Sequence, residues 1–236
     1  MNEFTHKGKD KKEFVKRIFN DISNSYDFLN HFLSGGIDII WRKKFIKSLN
    51  FIDSDRVLDV ATGTGDVAFA IKRKYKCNVT GLDLSVNMLS KAKQKSKKFN
   101  ISDIVFIEGD AENLPFDDNT FDKLVISYGL RNLGDFKKGL SEFHRVLKPN
   151  GKLGILEFLH PRSTLIAKIF KFYFNNVLPR VASLFSNSKA YRYLPESVEN
   201  FISFSELEIL LEDAGFTRIN SSNLSFGITT ITNASK

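Results

Sequence analysis

The residues best suited to chemistry gather around one turn. The stretch Arg56 to Asp83 reads RVLDVATGTGDVAFAIKRKYKCNVTGLD. Gly63 and Gly65 allow a sharp turn and bring the backbone, with Thr64 between them, close to a ligand. Asp83 lies roughly twenty residues past the turn, the spacing at which an acid accepts hydrogen bonds from vicinal ribose hydroxyls. Asp110, in Gly109-Asp110-Ala111, directly follows an apolar run. A carboxylate there is placed to accept from an adenine exocyclic amine, and Ala111 offers its amide to the ring. Ser127 closes a further apolar run and opens Ser127-Tyr128-Gly129-Leu130-Arg131-Asn132. Polar groups in that position point into the ligand crevice of an open α/β sheet. The pattern is that of a nucleoside-cofactor site. The turn alone does not name the cofactor, because Gly63-x-Gly65-x-x-Ala68 also satisfies the G-x-G-x-x-G/A dinucleotide fingerprint.

These residues need strands and helices to hold them. Val57, Leu58 and Val60 form the short apolar run of a strand buried on both faces. Asp66 is expected to cap a helix whose inward face is Val67, Ala68, Ala70 and Ile71. Val79 to Leu82, Ile104 to Ile107 and Phe121 to Ser127 read as further strands, with a helix capped by Ser85 running to about Lys98. Asp135 starts a helix to Leu147, Pro149-Asn150-Gly151 is a turn, and Lys152 to Phe158 is a fifth strand. Ser205 is expected to cap a helix ended by Gly215, and Thr217 to Leu224 and Phe226 to Ile231 to form a terminal hairpin joined near Ser225. The alternation of strands and helices predicts an α/β fold with a doubly wound, mostly parallel sheet.

Ahead of this unit, Phe14, Val15, Ile18, Phe19 and Ile22 recur at helical spacing. A second helical stretch carries Ile39, Ile40, Phe45, Ile46 and Leu49 beyond the Gly35-Gly36 break. The two are read as a cover over the cleft, with Tyr26, Asp27 and Asn30 facing it and Trp41 in the core. Past His160-Pro161, residues 165–178 predict a helix apolar around much of its circumference, suited to an apolar tunnel or a membrane interface. Tyr191-Arg192-Tyr193-Leu194-Pro195 reads as a loop. One domain is expected, divided into a helical cover (1–50), a cofactor half (51–160) and a substrate side with the terminal hairpin (161–236).

Composition narrows the classes. The chain has 236 residues, 42% hydrophobic and 26% charged, so a single soluble globular domain is expected. Its 23 Phe suggest a large aromatic interior or an apolar ligand pocket. A net charge of +8 permits an anionic membrane surface or nucleic acid as a partner. One Cys excludes an internal disulfide and points to a reducing, cytoplasmic compartment. The polar start argues against a signal peptide, and no run of about eighteen uncharged apolar residues is present to span a membrane.

VLDVATGTGD, the acid Asp83, GDAENLPF and RVLKPNGKLGILEF together resemble a class I S-adenosylmethionine-dependent methyltransferase. More narrowly, YDFLNHFLSGGIDIIW, SYGLRN, LPR at Leu178 to Arg180 and YRYLPES resemble the ubiquinone/menaquinone C-methyltransferase family, across nearly the whole chain after about Val15. The resemblance implies a seven-stranded sheet with N-terminal helices and an antiparallel last strand. It implies S-adenosyl-L-methionine as cofactor, with Thr64, Asp83, Asp110, Ala111 and Ser127 on cofactor-binding positions beside the Gly63–Gly65 turn. It implies methylation of a ring carbon of a prenylated quinol, demethylmenaquinol ahead of the benzoquinol of ubiquinone biosynthesis. The Lys, Asn, Ile and Phe bias of an AT-rich genome favours the naphthoquinol slightly.

In that reaction Arg131 is placed to stabilise a phenolate or position a water, and Asn132 and Tyr26 to orient the ring. The proton acceptor is not singled out; His31 and His160 are free candidates. No metal site is expected. Contact with a membrane surface fits the prenyl tail, nucleic acid is not expected as a partner, and oligomeric state is left open, a homodimer included. The chain departs from the family at Asp38, where His is usual, at Asn150, at Leu159 and in the terminal ITNAS.

Rival readings make other demands. Amine methylation is associated with Asn/Asp-Pro-Pro-aromatic, and the fourth strand ends in Ser-Tyr-Gly. A base C5-methyltransferase needs a catalytic Cys, and Cys77 stands beside the second strand, away from the expected substrate face. A dehydrogenase of the Tyr-x-x-x-Lys type lacks that motif here. A non-catalytic nucleotide-binding module would bind the cofactor without turnover.

Overall fold

The computed structural model describes residues 8–158 and 188–236, with positions 168, 172 and 176 alone between them. A seven-stranded sheet runs in the order β3-β2-β1-β4-β5-β7-β6. Its strands are β1 (Arg56–Val60), β2 (Asn78–Asp83), β3 (Ile104–Glu108), β4 (Phe121–Ser127), β5 (Leu147–Phe158), β6 (Thr217–Leu224) and β7 (Thr229–Ser235). The first five are parallel, and β7 lies antiparallel between β5 and β6. Strand order reverses at β1, which has β2 on one side and β4 on the other. Ligands of open α/β sheets bind outside the carboxyl ends of the strands at such a point.

Helices cover both faces, so the central strands are apolar on both. Leu58, Val60, Leu124 and Ile126 pack with Leu140, Phe143 and Val146 of α6 (Phe136–Val146) and with Leu207 and Leu211 of α8 (Phe204–Asp213). The alternate residues Val57, Val79 and Val125 meet α3 (Ile37–Ser48) through Trp41, Phe45 and Ile46, and α4 (Asp66–Lys72) through Val67, Phe69 and Ile71. A third cluster joins Val15, Ile18 and Ile22 of α1 (Gly8–Ile22) to Leu29 of α2 (Tyr26–Leu33), Met88 of α5 (Val86–Phe99) and Tyr193 and Val198 of α7 (Ser188–Glu199). It carries the helical cover to the rim of the sheet.

Several local expectations are corrected. Asp66 does not cap α4; Gly65 occupies the cap at φ +85°, without a side-chain cap bond. A Cβ there would lie 2.8 Å from the Phe69 ring, so both the turn and the packing require glycine. The cap of α8 is Ser203, in a reciprocal box with Glu206, not Ser205. Gly215 ends that helix as expected, in a Schellman arrangement with Phe216 N donating to Leu211 O. The 149–151 turn is absorbed into β5, which advances five residues against two of β4 between Leu147 and Lys152. Tyr191 to Pro195 is not a loop but part of α7, with Pro195 inside it. Buried Tyr193 and Val198 anchor the helix on either side of the proline. β7 begins at Thr229 rather than Phe226, because Ser225–Gly227 form a 3₁₀ turn. The expected helix at 165–178 (positions 168, 172 and 176 apart), His160, Leu159 and the Leu178 to Arg180 segment lie outside the described residues.

Candidate cofactor and substrate site

An open cleft lies at the carboxyl ends of β1, β2 and β4, where ligands of open α/β sheets bind. Tyr26, Gly63, Asp83, Asp110, Ala111, Ser127 and Asn132 all line it. Thr64, Gly65 and Arg131, also expected at the site, are not among its lining residues. Asp83 Oδ2 accepts from Gly63 N at 2.7 Å and Oδ1 from Ser85 N at 2.8 Å. Ser85 also caps α5 by accepting from Met88 N. A carboxylate has about four acceptor positions, so Asp83 keeps spare acceptor capacity for a ribose. Burial pushes its pKa up, and the amides of Ser85, Gly63 and Leu84 pull it back.

The turn is held from beneath by Asp59, a residue the sequence reading passed over. Its Oδ2 accepts from Thr62 Oγ1 at 2.6 Å and Ala68 N at 3.1 Å, tying the end of β1 to the start of α4. Burial, reinforced by Asp83 and Asp66, pushes its carboxyl up to about 7. The available signal was an acid in the middle of a strand buried on both faces. At the far end of the cleft, Asp110 Oδ1 accepts from Glu112 N at 2.9 Å. Lys12 of α1 bridges Asp110 Oδ2 and Glu112 Oε2, at 2.7 Å each. Burial opposes the Lys12 charge, but these two hydrogen bonds outweigh it and raise its pKa. Glu112 Oε1 in turn accepts from Gly134 N at 2.7 Å. Lys12 was also missed, since nothing in a Lys-rich amphipathic helix marks one lysine.

The cover closes the other end. A Tyr26 ring carbon stands 4.0 Å from where a Cβ on Gly63 would sit, so the backbone there is open on the cleft side. Thr64 Oγ1 donates to Asp27 Oδ1 and accepts from Lys95 Nζ, and Lys95 also pairs with Asp27 and Asp66. Arg42 Nη1 lies 3.4 Å from Asp66, and its Nη2 lies 2.7 Å from Asp38. His31 Nδ1 meets the same Asp38 carboxylate at 2.7 Å. Where the resemblance places a histidine at 38, this chain has Asp38 and brings an imidazole to it from position 31.

On the substrate side, Arg131 is 6% exposed and Glu157 is 1% exposed. Arg131 Nη1 donates to Glu157 Oε1 at 2.6 Å and to Tyr128 O at 2.7 Å. Asn132 Oδ1 accepts from Tyr193 Oη at 3.0 Å. Burial pushes the Tyr193 phenol up to about 12. Lys11 Nζ donates to Arg131 O at 2.8 Å; burial, then the Arg131 charge, pushes its ammonium down to about 8. Cys77 is buried with Sγ donating to Ile52 O, and burial pushes its thiol up to about 11. It does not line the cleft, so no thiolate is offered to a substrate there.

The cleft thus offers a carboxylate with spare acceptor capacity, a second carboxylate held by a lysine, and an open backbone turn. These residues fit a nucleoside carrying a sulfonium side chain. With the β7-between-β5-and-β6 topology, they define a Rossmann-like S-adenosylmethionine-dependent methyltransferase. A crystal structure of a SAM-dependent methyltransferase from Aquifex aeolicus has the same fold, with TM-score 0.62 at 21% identity over 82% of this chain and 88% of that one. The model of the ubiE/COQ5 methyltransferase family matches residues 5–236, and the chain belongs to that family. A ubiquinone/menaquinone biosynthesis C-methyltransferase UbiE from Geobacter sulfurreducens is 43% identical, covering 98% of this chain and 90% of its own. A demethylmenaquinone methyltransferase from Chlorobaculum tepidum is 44% identical, covering 86% and 84%.

Proposed function

We propose that this enzyme methylates a ring carbon of a prenylated quinol, converting demethylmenaquinol to menaquinol. The observation that carries the reading is one cleft whose lining brings together Asp83, Asp110, Tyr26 and Asn132. The family match over the cover and the substrate side supports the quinol, and the name of the Chlorobaculum relative favours the naphthoquinol. The Geobacter relative's name holds both pathways, which keeps the benzoquinol of ubiquinone biosynthesis as the second reading.

Bound in the cleft, S-adenosyl-L-methionine supplies a strongly electrophilic methyl group. Asp83 takes the ribose hydroxyls, Asp110 accepts from the adenine amine while Lys12 fixes its orientation, Ala111 presents its amide, and Ser127 stands beside them. Gly63 and the Gly65-capped turn bring backbone close to the methionine portion, with Thr64 anchoring the turn to the cover. The substrate must then place a nucleophilic carbon about 3–3.5 Å from the methyl, in line. Tyr26 and Asn132 orient the ring, and Asn132 is itself fixed by Tyr193. Loss of the ring hydroxyl proton raises electron density at the adjacent carbon, which takes the methyl as the methyl–sulfur bond breaks, and the hydrogen on that carbon then leaves as a second proton to restore the aromatic ring. Arg131, charge-balanced by Glu157, stabilises the resulting phenolate or holds the water that takes the proton. Among the described residues no helix is long and apolar enough to cross a membrane.

Methyl transfer from labelled S-adenosylmethionine tests the reading. Reduced demethylmenaquinone, the demethylated benzoquinol and bulk RNA are offered side by side. Label in the naphthoquinol is expected; label in the benzoquinol alone selects the second reading, and label in RNA alone overturns both.

A further inference from the structure

The α2–α3 pair turns an unusual face outward. On α3, Trp41, Phe45 and Ile46 take the core side, which leaves Ile39 and Ile40 exposed at 42% and 52%. Lys43, Lys44 and Lys47 are exposed on the following turns. Ile40, Lys43, Lys44 and Lys47 recur at three- and four-residue spacing and so share one stripe. A surface helix ordinarily turns polar residues outward along its length. Here the first half of the outward stripe is apolar and the second half cationic. Across the Gly35-Gly36 turn, Phe28 and Phe32 are 54% and 55% exposed and stack with ring centroids 5.7 Å apart.

Charge on this face has one sign. Between Phe28 and Lys47 the sequence contains a single acid, Asp38. It is 5% exposed and already held by Arg42 and His31. The β6–β7 turn adds a further apolar group. Trp41 Nε1 donates to Ser225 Oγ at 2.9 Å, and the next residue, Phe226, is 81% exposed at φ +61°. A bulky side chain held outward in the left-handed region is an outlier that ordinary packing does not require.

We infer that this face docks on an anionic lipid bilayer. Ile39, Ile40 and Phe226 enter the headgroup layer, while Lys43, Lys44 and Lys47 contact lipid phosphates. A polybasic stripe beside apolar side chains is the combination that binds such surfaces, each near-surface lysine strengthening binding about fivefold. The purpose of the docking rests on the quinol reading. Tyr26 at the start of α2 lines the cleft and Asp27 bonds Thr64, so the docked face adjoins the end of the cleft where a ring would enter. A prenyl tail then stays in the bilayer while its ring reaches the site.

Sedimentation of the full-length protein with phosphatidylglycerol/phosphatidylcholine vesicles, without quinol, tests the surface separately from the chemistry. Binding is expected to be at least tenfold stronger than to pure phosphatidylcholine and to weaken with salt. The triple variant Ile39→Ser, Ile40→Ser, Phe226→Ser should lower it at least tenfold. Lys43→Ser, Lys44→Ser, Lys47→Ser should abolish the preference for anionic lipid. Both should leave methylation of a short-tailed quinol in solution unchanged. Vesicle binding equal to wild type in both variants overturns the proposal. So does loss of a dimer in the isoleucine variant with vesicle binding intact, which would make a second copy the occupant. Vesicle binding that behaves as expected, with no quinol methylated by any form, upholds this surface and removes the quinol reading instead.

Discussion

Around Asp59 and Asp83, at the proposed nucleoside end of the cleft, carboxylates are held largely by groups nearby in the chain; around Arg131 and Asn132, at the proposed substrate end, polar side chains hold one another across long stretches of it. Asp83 accepts from Gly63, 20 residues away, and from Ser85, 2 away. Asp59 accepts from Thr62 and Ala68, 3 and 9 away. Arg131 reaches Glu157 over 26 residues, and Asn132 reaches Tyr193 over 61. Backbone amides fix a carboxylate and leave it lone pairs for a ligand, which suits recognition of a constant nucleoside. A buried ion pair satisfies itself and is costly to break, which suits a rigid wall around a variable substrate.

The largest effect should come from breaking the substrate wall. Glu157→Ala leaves Arg131 buried without its counter-charge and is expected to cost about 3–5 kcal/mol of stability in urea unfolding. A loss below about 1 kcal/mol would mean that the pair is not the support described.

Next is the pH dependence set by Asp59. Its pKa is about 7 in the folded protein and near the ordinary carboxylate value when unfolded, so the folded state binds the proton more tightly. The resulting stabilisation is fully present below about pH 4 and is lost as pH rises through about 7. Asp59→Asn lacks this titration. The stability of wild type minus that of the variant should therefore fall by roughly 3–4 kcal/mol between pH 4 and pH 8. A difference flat with pH, followed by thermal unfolding, would show Asp59 ionised throughout.

Asp83→Ala should weaken S-adenosylmethionine at least tenfold by calorimetry, since hydrogen bonds to a charged group contribute about 1.5–3 kcal/mol. Unchanged affinity would take Asp83 out of the site. The smallest effect should be that of Lys12→Met. The Lys12–Asp110 pair spans 98 residues yet serves the nucleoside end, and it is partly solvent-screened. About a threefold loss of cofactor affinity is expected, shrinking at high salt. A loss as large as that of Asp83→Ala would place long-range contacts on an equal footing at both ends and erase the contrast.

The same contrast governs what could be read from the chain. The sheet, the turn, Asp83 and the Ser85 cap were legible because each rests on neighbours within a strand–turn–helix unit. Glu157 was not, because an acid ending a strand acquires meaning only when Arg131 is folded against it. The α8 cap was ambiguous locally: Ser203 and Ser205 each stand three residues before a Glu, and packing of Leu207 and Leu211 selects the first. The start of β7 was misplaced because Ser225 and Phe226 give no sign of their positive φ angles. Pro195 suggested a loop, but contacts of Tyr193 and Val198 with the cluster that includes α1 outweigh one lost backbone hydrogen bond.

The most direct test of the central claim is where the methyl goes. The enzyme is given reduced demethylmenaquinone and S-adenosylmethionine bearing a ¹³C-labelled methyl, and the product is read by NMR. A methyl on the ring carbon beside the hydroxyl is predicted. A methyl ether on the hydroxyl oxygen, or no transfer with the cofactor bound, would contradict the account.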